Sequence, residues 1–166
     1  MRAVYTKIAS ILAPLVDIIL CETLASRAEV RAAASAASTY GKPVWVAMTL
    51  QDDLSGRLRS GESLTDAVRD IDASPQLGAL LLNCCAPQSV TSGLEHLRDI
   101  CPPGVRMGGY ANGFQTTTSE WLSGKEEAAF HTTSEKDFED GVITPSAYAR
   151  HTAEWVSKGA EIVGGC

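Results

Sequence analysis

"ALLLNCCAP", residues 79–87, decides how this chain is read. An apolar run ends in an asparagine and two adjacent cysteines, and Pro87 closes the segment. A short, continuous apolar run bounded by turn signals suits a strand covered on both faces, as in a parallel sheet. Pro87 fits the first turn of a following helix, where a missing backbone N–H costs nothing. A buried strand therefore delivers Asn83, Cys84 and Cys85 to its carboxyl end. Thiols so placed pair with other cysteines, fill a core, attack a substrate or hold a metal.

Similar runs recur on either side. They are "VDIIL" (16–20), "VWVAMTL" (44–50), "VRMGGY" (105–110) and "AEIVGG" (160–165). Helical patterns with readable ends lie between them. Ser26 and Glu29 have capping-box spacing, and Ser63 with Asp66 repeats it. The alanine-rich stretch 32–37 favours helix, and Gly41 can close it in a left-handed cap. Thr144–Pro145 starts a last helix. The order is helix and strand alternating through four pairs, a long excursion over residues 111–143, then helix and strand. Such βα units predict an α/β fold with about five parallel strands.

The chain has 166 residues, of which 45% are hydrophobic, enough for one domain with a real core. A net charge of -6 argues against nucleic acid or an anionic membrane as the main partner. The five cysteines are odd in number, which predicts no disulfide framework and a reducing, cytoplasmic setting. The apolar run "IASILAPLVDIIL" contains Pro14 and Asp17 and reads as a helix entering a strand rather than a signal peptide or membrane span.

Unusual residues gather at predicted strand ends. Cys21 and Glu22 end the first, Asn83 and Cys84 the third; Tyr110 and Asn112 follow the fourth, and Cys166 ends the fifth. In barrels and open α/β sheets these carboxyl ends carry the active site. Core filling is expected for Cys21, Cys85 and Cys101, since free cysteine packs as a small hydrophobe. Alternation lets only one of two neighbours, Cys84 and Cys85, face a common site. A cysteine nucleophile needs a base. His96 and His151 fall in predicted helices outside the sheet, which leaves His131. Zinc takes thiolates in a tetrahedral shell, and Cys84 and Cys166 would supply two.

"LLLNCCAP", "GYANG" and "GAEIVGGC", taken with "DIILCETL" and "PVWVAMTLQDDLSGRLRSGESL", resemble the homocysteine S-methyltransferase family over nearly the whole chain. The exception is the loop of about 114–141. The resemblance implies a partial (β/α)8 TIM barrel, its strands resembling strands four to eight, over residues 1–166 and shortened at both ends. It implies zinc held by cysteines and transfer of a methyl group from a small donor to homocysteine, giving methionine. Cys84 matches the cysteine of the family's "NC" motif, and Cys166 the first of a terminal "GGCC" pair whose second member would come next. Glu22 matches a strand-end glutamate that contacts the substrate's amino group; Asn83 and Asn112 match positions near the substrate. Cys21 and Cys85 match no zinc ligand. A barrel normally needs about 250 residues, so a non-catalytic or partner-dependent fragment with an incomplete zinc site is the alternative. Open sheet edges would then favour self-association.

Overall fold

The computed structural model of the chain describes residues 1–71, 73–114 and 135–166. His131 and most of the predicted 114–141 loop lie outside the described residues.

Helix α1 (Arg2–Leu12) leads through a short 3-10 turn into β1 (Ile19–Leu24). Then come α2 (Arg27–Ala37), β2 (Val44–Met48), α3 (Leu64–Arg69), β3 (Leu77–Asn83), α4 (Pro87–Ile100) and β4 (Arg106–Tyr110). Two short strands, β5 (Phe138–Glu139) and β6 (Val142–Ile143), precede α5 (Pro145–Ser157) and β7 (Ile162–Val163). The predicted alternation is present. The main sheet is parallel throughout, in the order β1-β2-β3-β4-β7.

Local chemistry accounts for the element ends. Ser26 and Glu29 complete a reciprocal capping box on α2, and Gly41 follows in the left-handed region (φ 66°). Ser63 caps α3 by accepting from the Asp66 N–H, and Thr144 caps α5 by accepting from that of Ala147. Two predicted features shift. The first strand reaches Leu24, so Cys21 and Glu22 lie inside it rather than at its end. The excursion contains a two-residue hairpin at Asp140–Gly141, both with positive φ (51° and 76°). An Asp-Gly pair supplies that turn.

Helices α2 to α5 all pack on one face of the sheet. Val44, Val46, Met48, Leu80 and Leu82 point into that cluster with Val30, Ala33, Leu64, Val68, Leu94 and Trp155. The alternate residues Trp45, Ala47, Ala79, Leu81 and Tyr110 form a smaller cluster on the other face with Ile162. A doubly wound sheet carries helices on both faces, and a barrel on one. The one-sided arrangement is therefore that of a partial β/α barrel.

The last strand lies close against β4 because Gly108 has no side chain. A Cβ built there would stand 1.9 Å from the Ile162 carbonyl oxygen. Beyond β7 the pairing continues, with Gly164 N–H donating to Gly109 O and Cys166 N–H to Ala111 O, each at 3.2 Å. Gly108→Ala is expected to destabilise the fold by about 1–3 kcal/mol, the cost of overpacking where only backbone can yield. Urea unfolding measures it, and a midpoint equal to the wild type would contradict the close approach.

Candidate functional site

All five strands of the main sheet point the same way, so their carboxyl ends share one rim. Cys84 stands just past β3, and Cys166 just past β7. Their sulfurs are 3.1 Å apart, across 82 residues of sequence. Cys166 is exposed and Cys84 half-buried.

Cys84 has a positive φ of 55°, which alters the strand pattern. In regular alternation Cys84 would join Leu80 and Leu82 on the helix face, and Cys85 would take the other face. Instead Cys85 is wholly buried in the helix-side cluster. Burial pushes its thiol up to about 12. Cys21 also packs against that cluster and is pushed up to about 11 by burial, and Cys101 is raised for the same reason. These three thiols have the core role expected of them.

Glu22 is exposed on β1. Its register neighbours place it on the face of Trp45 and Tyr110. The Cys166 thiol is pushed up to about 11, first by burial, then by the hydrogen bond and charge of Cys84 and by the charge of Glu22. The Tyr110 hydroxyl is held well above the phenol range by burial first and by Glu22 next. It has no hydrogen-bond partner of normal length among the described residues. Glu22, Tyr110 and the two thiols thus lie within electrostatic reach of one another.

Asn83 is 0% exposed, one position below the rim. Its Nδ2 donates to Thr23 Oγ1 at 2.8 Å, while its Oδ1 has no partner among the described residues. Thr23 also has a positive φ (58°), uncommon for a β-branched residue. Asn83 therefore joins β3 to an irregular, positive-φ position of β1 beside Glu22. Asn112 is half-buried beyond β4, and its backbone N–H donates to Cys85 O at 2.9 Å. His96 and His151 lie on α4 and α5, as expected.

Three contributors were not picked out from sequence. Tyr148 on α5 accepts from Ala111 N–H at 2.9 Å and donates to Gly164 O at 2.7 Å, tying the ends of β4 and β7 together. Thr49 Oγ1 and Arg59 Nη2 both donate to the Cys84 carbonyl, at 3.2 and 2.5 Å. The one available signal was Thr49, a polar residue directly after the apolar "VWVAM".

The donor set can be tested against zinc. Thiolates at about 2.3 Å in a tetrahedral shell stand about 3.8 Å apart. The Cys84–Cys166 pair meets that by opening less than one ångström from 3.1 Å. Among the described residues no group of three His, Cys, Asp or Glu side chains is placed to hold a metal. Two donors fit, and a third is not among the described residues.

Comparison with known proteins follows the same lines. The family described as homocysteine S-methyltransferase matches residues 1–166. Homocysteine S-methyltransferase of Escherichia coli strain K12 is 28% identical over 152 residues, covering 90% of this chain and 43% of that protein. Homocysteine S-methyltransferase 4 of Zea mays is 23% identical, covering 90% of this chain and 40% of its own length. The chain thus spans less than half of either relative. Solved structures of the Escherichia coli homocysteine methyltransferase MmuM share the fold. The apo form gives a TM-score of 0.66 at 24% identity, over 99% of this chain and 52% of that one. The metallated form gives 0.66 at 24%, over 100% and 47%. With every residue of the chain inside the family match and the same fold in the solved relatives, the chain belongs to the homocysteine S-methyltransferase family.

Proposed function

We propose that this chain carries thiol-binding machinery of a zinc-dependent methyltransferase that moves a methyl group from a small donor to homocysteine, giving methionine. The observation that carries the reading is the meeting of Cys84 and Cys166, 3.1 Å apart at one rim, beside Glu22. Its β1–β4 and β7 would be strands four to eight of a barrel whose other strands lie outside residues 1–166.

Homocysteine offers a thiol, an ammonium and a carboxylate. Glu22 pairs with the ammonium in a charge-assisted contact. Asn83, through Oδ1, and Asn112 orient polar groups of the substrate. Cys84 and Cys166 would hold the metal as thiolates, together with a donor from outside the described residues. Zinc, when bound, favours the deprotonated form of a thiol near neutral pH. The substrate sulfur then forms a bond to the donor's methyl carbon as the methyl–donor bond breaks. The bonding pair leaves with the donor, and the thiol proton goes to solvent. An S-methylated sulfonium, betaine and a methylated folate are the donor classes to try. The absence of a third metal donor among the described residues favours a second reading, a partner-dependent barrel fragment. The exposed apolar residues Leu20 on β1 and Val163 on β7 lie on the sheet's two edge strands, where a second copy could pair.

The decisive assay incubates the expressed protein with zinc, homocysteine and each donor in turn and measures methionine. One donor is expected to give product, and Cys84→Ser or Cys166→Ser to abolish it; folded protein inactive with every donor contradicts the enzyme. Glu22→Gln should raise KM for homocysteine about 10- to 100-fold with a smaller effect on kcat, the worth of one charge-assisted hydrogen bond. An unchanged KM removes Glu22 from the substrate site. The described residues supply two thiolates, so the expressed chain should lose zinc to a chelator during dialysis; one zinc retained per chain would show that residues 1–166 also contain the further donor.

A further inference from the structure

We infer that Thr49 and Arg59 form a clamp on the Cys84 carbonyl that decides which of two adjacent thiols faces the rim. Arg59 is then a positioning residue for the thiol pair. The importance of this for catalysis rests on the proposed thiol chemistry; the geometry stands apart from it.

The starting point is the left-handed backbone at Cys84 (φ 55°). An L residue there brings Cβ against a carbonyl oxygen, and cysteine has no side-chain amide or carboxylate to offset this locally. Something outside the segment has to hold it. Both backbone groups of Cys84 are engaged: its N–H donates to Tyr110 O at 3.2 Å, and its carbonyl accepts from Arg59 Nη2 at 2.5 Å and Thr49 Oγ1 at 3.2 Å. A carbonyl has two lone pairs, so this one is filled. Two residues on, Ala86 N–H donates to Asp52 Oδ1 at 2.7 Å. The segment between β2 and α3 therefore grips the backbone at Cys84 and again at Ala86.

That gripping segment is itself anchored. Arg59 N–H donates to Thr49 O at 2.9 Å and Gln51 N–H to Arg57 O at 3.0 Å, as in a short antiparallel ladder. Leu50 and Leu58, paired in it, are both 0% exposed. The ladder sets Thr49 and Arg59 side by side, and both side chains reach one oxygen. The Arg59 Nε is buried with no partner among the described residues, so the guanidinium is held through its hydrogen bond to that carbonyl.

The consequence is an inversion of alternation. Without the clamp, β3 would continue its regular pattern, sending Cys84 toward the helix face and Cys85 toward the rim. With it, Cys85 fills the core and the Cys84 sulfur meets Cys166.

The test uses phenylarsine oxide, whose arsenic forms two As–S bonds with a pair of nearby thiols and releases one water. Peptide mapping then shows which cysteines are bridged, and iodoacetamide shows which remain reactive. In the wild type the bridge should join Cys84 to Cys166, with Cys85 unreactive. In Arg59→Ala bridging should weaken about tenfold or more, the usual scale for a residue that orients a ligand. Cys85 should become alkylated while unfolding stays cooperative. Arg59→Lys, which keeps one donor, should recover part of the bridging. Thr49→Val removes the second donor at constant shape and is read in the same way, so the test survives an unstable Arg59→Ala. A Cys84–Cys166 bridge of wild-type strength in both Arg59→Ala and Thr49→Val, with Cys85 still protected, would overturn the clamp. Wild-type protein that bridges as expected yet transfers no methyl group would sink the proposed function and leave the clamp standing.

Discussion

Parallel pairing is the constraint on which the rest of this structure depends. Parallel strands need a crossover between them, and here each crossover carries its helix back over the same face. Every carboxyl end then arrives at one rim. Residues as distant as Glu22, Cys84 and Cys166 become neighbours without any direct interaction having to recruit them. Cys166 depends most on this constraint, because a two-residue strand and a few further backbone bonds hold it. Gly108 makes that short pairing possible, and Tyr148 fastens it from the helix layer.

The rim itself departs from regular strand geometry at two points, Thr23 and Cys84. Both have left-handed backbones, and both are held by side chains from other elements: Asn83 for the first, Thr49 and Arg59 for the second. Strain of this kind persists only where the surroundings over-determine it, and it tends to collect at functional sites. Polar side chains thus hold the irregular part of β1 beside Glu22 and the backbone of Cys84 at the same rim. After burial, the Cys84 hydrogen bond and the negative charge of Cys84 and Glu22 disfavour releasing the Cys166 proton. A cation seated between them would relieve that repulsion.

Much of the fold was legible because it rests on local signals. Apolar runs marked the strands, and Ser26, Thr144 and Pro87 marked helix starts where the structure has them. The Asp140–Gly141 hairpin had a signal too, but a two-residue turn between two-residue strands is masked by the loop around it. The extension of β1 to Leu24 was not legible, because Cys21 and Glu22 read as a strand end. The site was legible only in part. Which residues reach the rim followed from strand order and the family motifs. The left-handed backbone at Cys84, which sends Cys85 into the core, did not, because the sign of φ at a cysteine leaves no trace in residue type; glycine or asparagine would have flagged it. The role of Arg59 and Thr49 was hidden for a related reason, although Thr49 stood out as a polar residue directly after an apolar run. Their partner is a backbone carbonyl 25 and 35 residues away, which no side-chain pattern announces.

The central claim is that Cys84 and Cys166 together face a soft metal ion. X-ray absorption at the zinc edge of the zinc-loaded protein tests it most directly. The account predicts at least two sulfur neighbours at about 2.3 Å. A shell of nitrogen and oxygen alone, in protein shown to be folded, would contradict it.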